Sequence, residues 1–346
     1  LVNQDGEPSK DAIKINTTPL DEELAREYQK QLHRIVALMT SPDGIGLGPT
    51  LPLLRNEVSY VESMLGNSLT IDGMIDEWLS NFVANYQKHF LNRCNSRSLK
   101  KKGIKNSALV VGGGPSINKY ELLTPVERYK GTTICTNKSY KAVLNHNIDP
   151  NYVVVLHGTD EILGDFTPSY VRESMADGNS IFVLPTVMNP VVADLIVGHV
   201  RDENIVWYNP SISDILAPAY DKTLSLLSSV PTIDTGGNVG ILSTVIAKNL
   251  GAKTIGMFGL EHCQELDPTW TNDVARYMEI RYAPEDGLTF AMSPAFRNYV
   301  KQFYQFISES PETEFINLVK NGIFYVDRKK LNVPYMDFKE FVNTYD

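Results

Sequence analysis

Apolar positions along this chain of 346 residues recur first at helical spacing and later in short unbroken runs, and the change falls near residue 104. Leu24, Tyr28, Leu32, Ile35 and Leu38 predict a helix over 21–39. A second helix is expected from about Leu53 to Leu65 and a third from about Ile71 to Phe90, with Ile75, Trp78, Leu79, Phe82, Val83 and Tyr86 along one side. Residues 1 to about 20 carry Gly6, Pro8 and Pro19 and read as an extended lead-in. From 104 onward the texture alternates. Strands are predicted at Ala108–Val111, Thr132–Cys135, Tyr152–Leu156, Ser180–Leu184, Ile205–Trp207, Thr254–Phe258 and Phe315–Asn317, with helices over Ser139–Asn145, Val191–Val197, Val239–Leu250 and Pro294–Ser308. Apolar strands separated by helices imply an α/β fold, a Rossmann-like and mainly parallel sheet with helices on both faces. The expected organisation is a helical N-terminal region over 1–103 and a Rossmann-like nucleotide-binding domain over 104–346.

Ligands of such sheets bind beyond the carboxyl ends of the strands, so residues just after each strand are the candidates for chemistry. The first is the loop Gly112-Gly113-Gly114-Pro115-Ser116, which follows Ala108–Val111. Glycines let a ligand approach backbone amides, and amides at a helix start attract phosphate; the alternative is a plain strand-to-helix turn. Asn137 follows the second strand, where its amide can serve a base or ribose, or close an Asx-turn. His157 follows the third. Glu261 and His262 follow the strand Thr254–Phe258, and either histidine is a candidate base for an acceptor proton, or a structural residue. The turn Thr235-Gly236-Gly237-Asn238 opens a helix and offers donors to an anion or sugar, although small residues there equally suit close packing. His33, His89, His146 and His199 read as surface or packing residues, and the series Phe296, Tyr299, Phe303, Tyr304, Phe306 as core.

Composition narrows the partners. The net charge of −9 argues against a nucleic-acid backbone, and the run Lys100-Lys101-Lys102 reads as a solvated linker. Cys94, Cys135 and Cys263 form neither a disulfide framework nor a zinc motif, which suits a reducing, cytoplasmic setting. No apolar run reaches the roughly 20 residues of a membrane span, and no signal-peptide pattern opens the sequence. The expected partners are a small-molecule donor and an acceptor that the sequence does not identify.

Five segments in order resemble one family: Val111–Ser116, Asn147-Ile148-Asp149-Pro150-Asn151-Tyr152-Val153-Val154, Thr235-Gly236-Gly237-Asn238-Val239, Leu250-Gly251-Ala252-Lys253-Thr254-Ile255, and Phe315-Ile316-Asn317-Leu318 before Asn321-Gly322. This is the group that contains the Maf-type flagellin-modifying proteins and the archaeal 6-hydroxymethylpterin pyrophosphokinases, and the resemblance covers roughly residues 75 to 330. The glycine loop, the Thr-Gly turn and Phe258-Gly259-Leu260-Glu261 are also similar to the bacterial sialyltransferases that use CMP-sugars. The resemblance implies a glycosyltransferase-like enzyme that binds a nucleotide-activated sugar, with a CMP-nonulosonate as the favoured donor. In it Gly112, Gly113, Gly114, Pro115 and Ser116 would cradle phosphate, Asn137 would contact the nucleoside, and Thr235, Gly236, Gly237 and Asn238 would help to hold the donor.

Two departures keep alternatives open. Diphosphokinase members carry an acidic Asp-x-Asp-Gly cluster for Mg²⁺ where this chain reads Val155-Leu156-His157-Gly158-Thr159-Asp160-Glu161. ATP-dependent diphosphate transfer to a hydroxymethylpterin-like alcohol, with Asp160 and Glu161 on the metal, is therefore the second reading. Sialyltransferase-like members use a late histidine as base, and Asp286–Phe296 contains none. A non-catalytic nucleotide-binding module is the third.

Overall fold

The structure is a computed structural model and describes residues 74–90, 104, 106–118, 124–211, 224–265, 279–283, 288–320 and 322–345. The lead-in, the helices expected over 21–39 and 53–65 and the basic run at 100–102 lie outside the described residues.

Eight strands form one parallel sheet: β1 (Ser107–Val111), β2 (Thr132–Thr136), β3 (Tyr152–Val154), β4 (Ile181–Pro185), β5 (Ile205–Ser211), β6 (Thr232–Asp234), β7 (Thr254–Phe258) and, after three strands of another sheet, β11 (Glu314–Asn317). The order across it is β11-β7-β1-β2-β3-β4-β5-β6. The chain therefore steps outward from β1 to β6, then crosses back to lay β7 on the other side of β1. That reversal is the topological switch point at which open parallel sheets leave a crevice. The register pairs Val111 with Cys135 on one side and with Phe258 on the other, so the loops after β1, β2 and β7 leave the sheet together.

Successive side chains of each strand go to opposite faces, and both faces are covered. Leu109 and Val111 join a core with Phe82, Tyr140, Phe166, Phe182 and Phe341, while Ala108 and Val110 join another with Ile241, Ile246, Phe303 and Phe324. Four of the covering helices begin where the sequence supplies a capping side chain. Helix α1 occupies 74–85 and runs into a π-helical turn, Tyr86–Phe90. Helix α2 (Asn137–Asn145) starts from a capping box of Thr136 with Ser139, α3 is Leu163–Phe166, α4 is Ser169–Asp177, and α5 (Pro190–His199) is capped by Asn189 with proline in the first turn. Helix α6 (Val239–Asn249) is capped by Asn238 and closes at Gly251, whose φ of 104° suits glycine; α7 (Pro294–Ser308) is capped by Ser293. The short α8 (Ile323–Val326) and α9 (Arg328–Leu331) and the terminal α10 (Phe338–Tyr345) complete the order.

The expected sheet and its helices are present, with three differences. The edge strand β6 and a three-stranded antiparallel sheet of β8 (Gln264–Glu265), β10 (Leu288–Met292) and β9 (Glu279–Ala283) were not legible as strands. Val83 does not belong to the buried side of α1. It is 51% exposed, while Asn81 and Asn85 are the buried polar residues of that helix. The side-chain amide of Asn85 donates to the carbonyls of Thr186 and Met188 at 3.1 and 2.7 Å, and that of Asn81 to Gly158 and Val187 at 3.0 and 3.2 Å. Residues 65–346 thus form one compact unit that includes α1.

Candidate functional site

The glycine loop lies at the switch point, and the loop after β7 fills it. Gly112 N–H donates to Phe258 O and Gly114 N–H to Gly259 O, both at 2.8 Å. A side chain on Gly112 would collide with Leu260 and the Gly259 carbonyl, and one on Gly114 with the Glu261 carboxylate. Gly259 itself has a φ of 70°, and the Gly112 carbonyl lies 2.5 Å from where a Cβ on it would stand. These glycines let two loops cross without Cβ atoms between them. Ser116 N–H donates to Glu261 Oε1 at 3.0 Å, and Ile323 N–H to the Glu261 main-chain carbonyl at 3.0 Å, so a buried carboxylate rests inside the loop. The N–H of Gly113 has no protein acceptor among the described residues, and Gly113 is exposed.

Beyond β2 and β3 a second group gathers. Asn137 is fully buried and its amide nitrogen donates to Asp165 Oδ2 on α3 at 2.8 Å, which assigns the side-chain orientation. Its Oδ1 has no partner among the described residues. Lys138 and Lys141 bring their amines to 3.4 and 3.7 Å from the same carboxylate. Ser139 Oγ donates to the Val111 carbonyl at 2.6 Å and ties the start of α2 to the end of β1. His157 is exposed at the rim after β3. Crowding from the protein beneath it, then the charge of Lys138, holds its pKa below the usual imidazole value, with Glu161 and Asp165 pulling the other way. A largely neutral imidazole at pH 7 is free to accept a proton.

His262 has a different environment. It is buried, sits at a φ of 48°, and packs edge-on against Phe324 and Phe296 with ring centroids 5.5 and 6.2 Å away. Burial lowers its pKa to about 4. Phe296 in turn meets Tyr299, whose ring lies 3.0 Å from where a Cβ on Gly237 would stand. Through this aromatic chain the second glycine motif reaches the β7 loop, although β6 is at the far edge of the sheet. Gly240 also packs on Leu260, the side chain that abuts Gly112.

In the second motif the Thr235 hydroxyl and the glycine amides are already engaged. Thr235 donates its hydroxyl to Ser211 O at 3.1 Å, Gly237 N–H donates to Thr235 Oγ1 at 3.2 Å, and Gly236 N–H to Asp234 Oδ1 at 3.0 Å. Gly236 and Gly237 have φ of 56° and 71°, conformations that favour glycine. Asn238 serves as the cap of α6, its Oδ1 accepting from Gly240 N–H at 2.8 Å. Asp160 and Glu161 are exposed on a short turn after β3, and among the described residues no group of three or more His, Cys, Asp or Glu could hold a metal. Sequence reasoning missed Lys138 and Asp165. Lys138 could have been found from its place right after Asn137 at a strand end, whereas Asp165 joins the group only through the fold.

The model of the family described as 6-hydroxymethylpterin diphosphokinase MptE-like matches residues 76–266, over half of the 346. The chain belongs to this MptE-like family. Among solved structures this MptE-like chain is similar in fold to the MAf glycosyltransferase from Magnetospirillum magneticum AMB-1, with a TM-score of 0.52 at 17% sequence identity. The match covers 69% of this chain and 34% of that one, so the likeness spans about a third of the longer protein. No curated protein sequence matches the chain. Among the described residues no helix is long and apolar enough to cross a membrane.

Proposed function

We propose that this MptE-like protein is a glycosyltransferase-like enzyme that binds a nucleotide-activated sugar at the rim formed by the ends of β1, β2 and β3, with a CMP-linked nonulosonate as the donor. The observation that carries this reading is the meeting, at one rim, of the glycine loop, the oriented amide of Asn137 and the exposed, proton-poor imidazole of His157. The fold shared with a glycosyltransferase supports it. In the transfer, the bond from the anomeric carbon to the phosphate oxygen breaks and CMP departs with the electron pair. The acceptor hydroxyl oxygen bonds to the anomeric carbon, and its proton passes to His157. His262, buried among phenylalanines, is the poorer base.

Calorimetry with CMP, UDP, GDP and ATP, each with and without Mg²⁺, tests the reading. Cytidine nucleotide binding that needs no metal is the expected result. A second reading, diphosphate transfer from ATP to a hydroxymethylpterin-like alcohol, is favoured by the description of the matching family and by the exposed pair Asp160 and Glu161 beside His157. ATP binding that requires Mg²⁺ and disappears in Asp160→Asn would establish it instead. Nucleotide binding with no transfer to any acceptor would favour a binding module.

A further inference from the structure

The loop that resembles a phosphate cradle has little to offer a phosphate by itself. The amides of Gly112, Gly114 and Ser116 are bound within the protein, Pro115 has no N–H, and only Gly113 presents a donor without a protein acceptor among the described residues. Fixed negative charge is close by. The Glu261 carboxylate occupies the loop, and Asp165 is buried behind the start of α2. A phosphate brought to Gly113 therefore needs a cation.

Lys138 stands at that place. Its Cβ is 2.6 Å from where a side chain on Gly113 would begin, so residue 113 is glycine partly because Lys138 packs against it. The side chain is 51% exposed and its ammonium is 3.4 Å from Asp165 Oδ2, a loose pair that tethers the charge at the rim without enclosing it. Asp165 also receives Asn137, which sets the lysine and the asparagine in one group. We infer that Lys138 is the charge partner of the donor's phosphate, acting with the Gly113 amide in place of a metal. This rests on the reading of the rim as a nucleotide-sugar site.

The test compares CMP with cytidine by calorimetry on the full chain, for wild type, Lys138→Gln and Lys138→Arg. The pair of ligands differs only in the phosphate, so a charge contact separates them while damage to the pocket does not. Lys138→Gln is expected to weaken CMP about 10- to 100-fold, the effect of losing a charged hydrogen bond, with cytidine unchanged and Lys138→Arg close to wild type. The half-exposed side chain can be replaced without opening the core, and equal melting temperatures check that the fold is kept. CMP affinity unaltered in Lys138→Gln, or CMP and cytidine weakened alike, overturns the inference while leaving the nucleotide site standing. Wild type that binds neither ligand overturns the site and the inference together.

Discussion

His157 and His262 follow β3 and β7, two strands of the parallel sheet with β1 and β2 between them, and their surroundings give them opposite tasks. Exposure lets His157 reach a ligand, and its lowered pKa keeps it neutral near pH 7. For a transferase the acidic limb of the pH–rate profile should then lie below the ordinary imidazole value of 6.5, and His157→Ala should reduce turnover about 10²- to 10⁴-fold with donor affinity little changed. An acidic limb that persists in His157→Ala would assign the base elsewhere. For His262 the consequence is stability. The folded pKa of about 4 lies below the unfolded 6.5, so between these values the unfolded chain binds a proton that the native chain refuses. Stability from this group is complete above pH 6.5 and declines as pH falls toward 4, by an amount on the order of 3 kcal/mol. Urea unfolding at a series of pH values should show that slope. It should flatten in His262→Asn, since asparagine tolerates the left-handed backbone at a φ of 48° and does not titrate.

At the scale of elements, the crossing of the β1 and β7 loops is the most demanding local feature. A methyl at residue 114 would fall on the Glu261 carboxylate and stand 2.7 Å from the Gly259 carbonyl. Gly114→Ala is expected to lower stability by about 1–3 kcal/mol, the usual range for overpacking, measured by denaturant unfolding. Gly164→Ala is the control, because nothing lies within 4 Å of the added methyl. The strands β1, β4 and β7 were legible because burial on both faces writes them in largely apolar residues, and β2 because its threonines and isoleucine are β-branched. The three-residue β6 has exposed residues on either side of Ile233 and leaves no such run. The glycine triplet was legible as an unusual loop but not for its cause. Ser116 and Glu261 are 145 residues apart, and local sequence does not report which distant carboxylate occupies a loop. Asp165 was illegible for the same reason, as its partner Asn137 is 28 residues away.

At the scale of the whole molecule, the sequence boundary near residue 104 marks a change in texture, while the packing runs across it. Phe82 of α1 is 2% exposed in the core that holds Val111, Phe166 and Phe182. Asn81 and Asn85 satisfy carbonyls after β3 and β4, His89 stacks on Trp207 of β5 with ring centroids 5.9 Å apart, and Lys88 and His89 both reach Asp194 of α5. Removing α1 would expose an apolar socket and strip donors from buried carbonyls, each of which costs about 1–3 kcal/mol when left unmade. A fragment of residues 65–346 should therefore unfold in one cooperative transition, whereas a fragment starting at 104 should melt lower, bind a hydrophobic dye and lose slow amide exchange around β3 and β4. Asn85→Ala in the full chain should reproduce part of that loss, about 2–4 kcal/mol for two carbonyls left without a donor. Equal melting temperatures for the two fragments would mean that α1 rests on a body already complete. Because the Asn81 amide bonds to Gly158, the residue after His157, its removal should also loosen the rim where the proposed base stands.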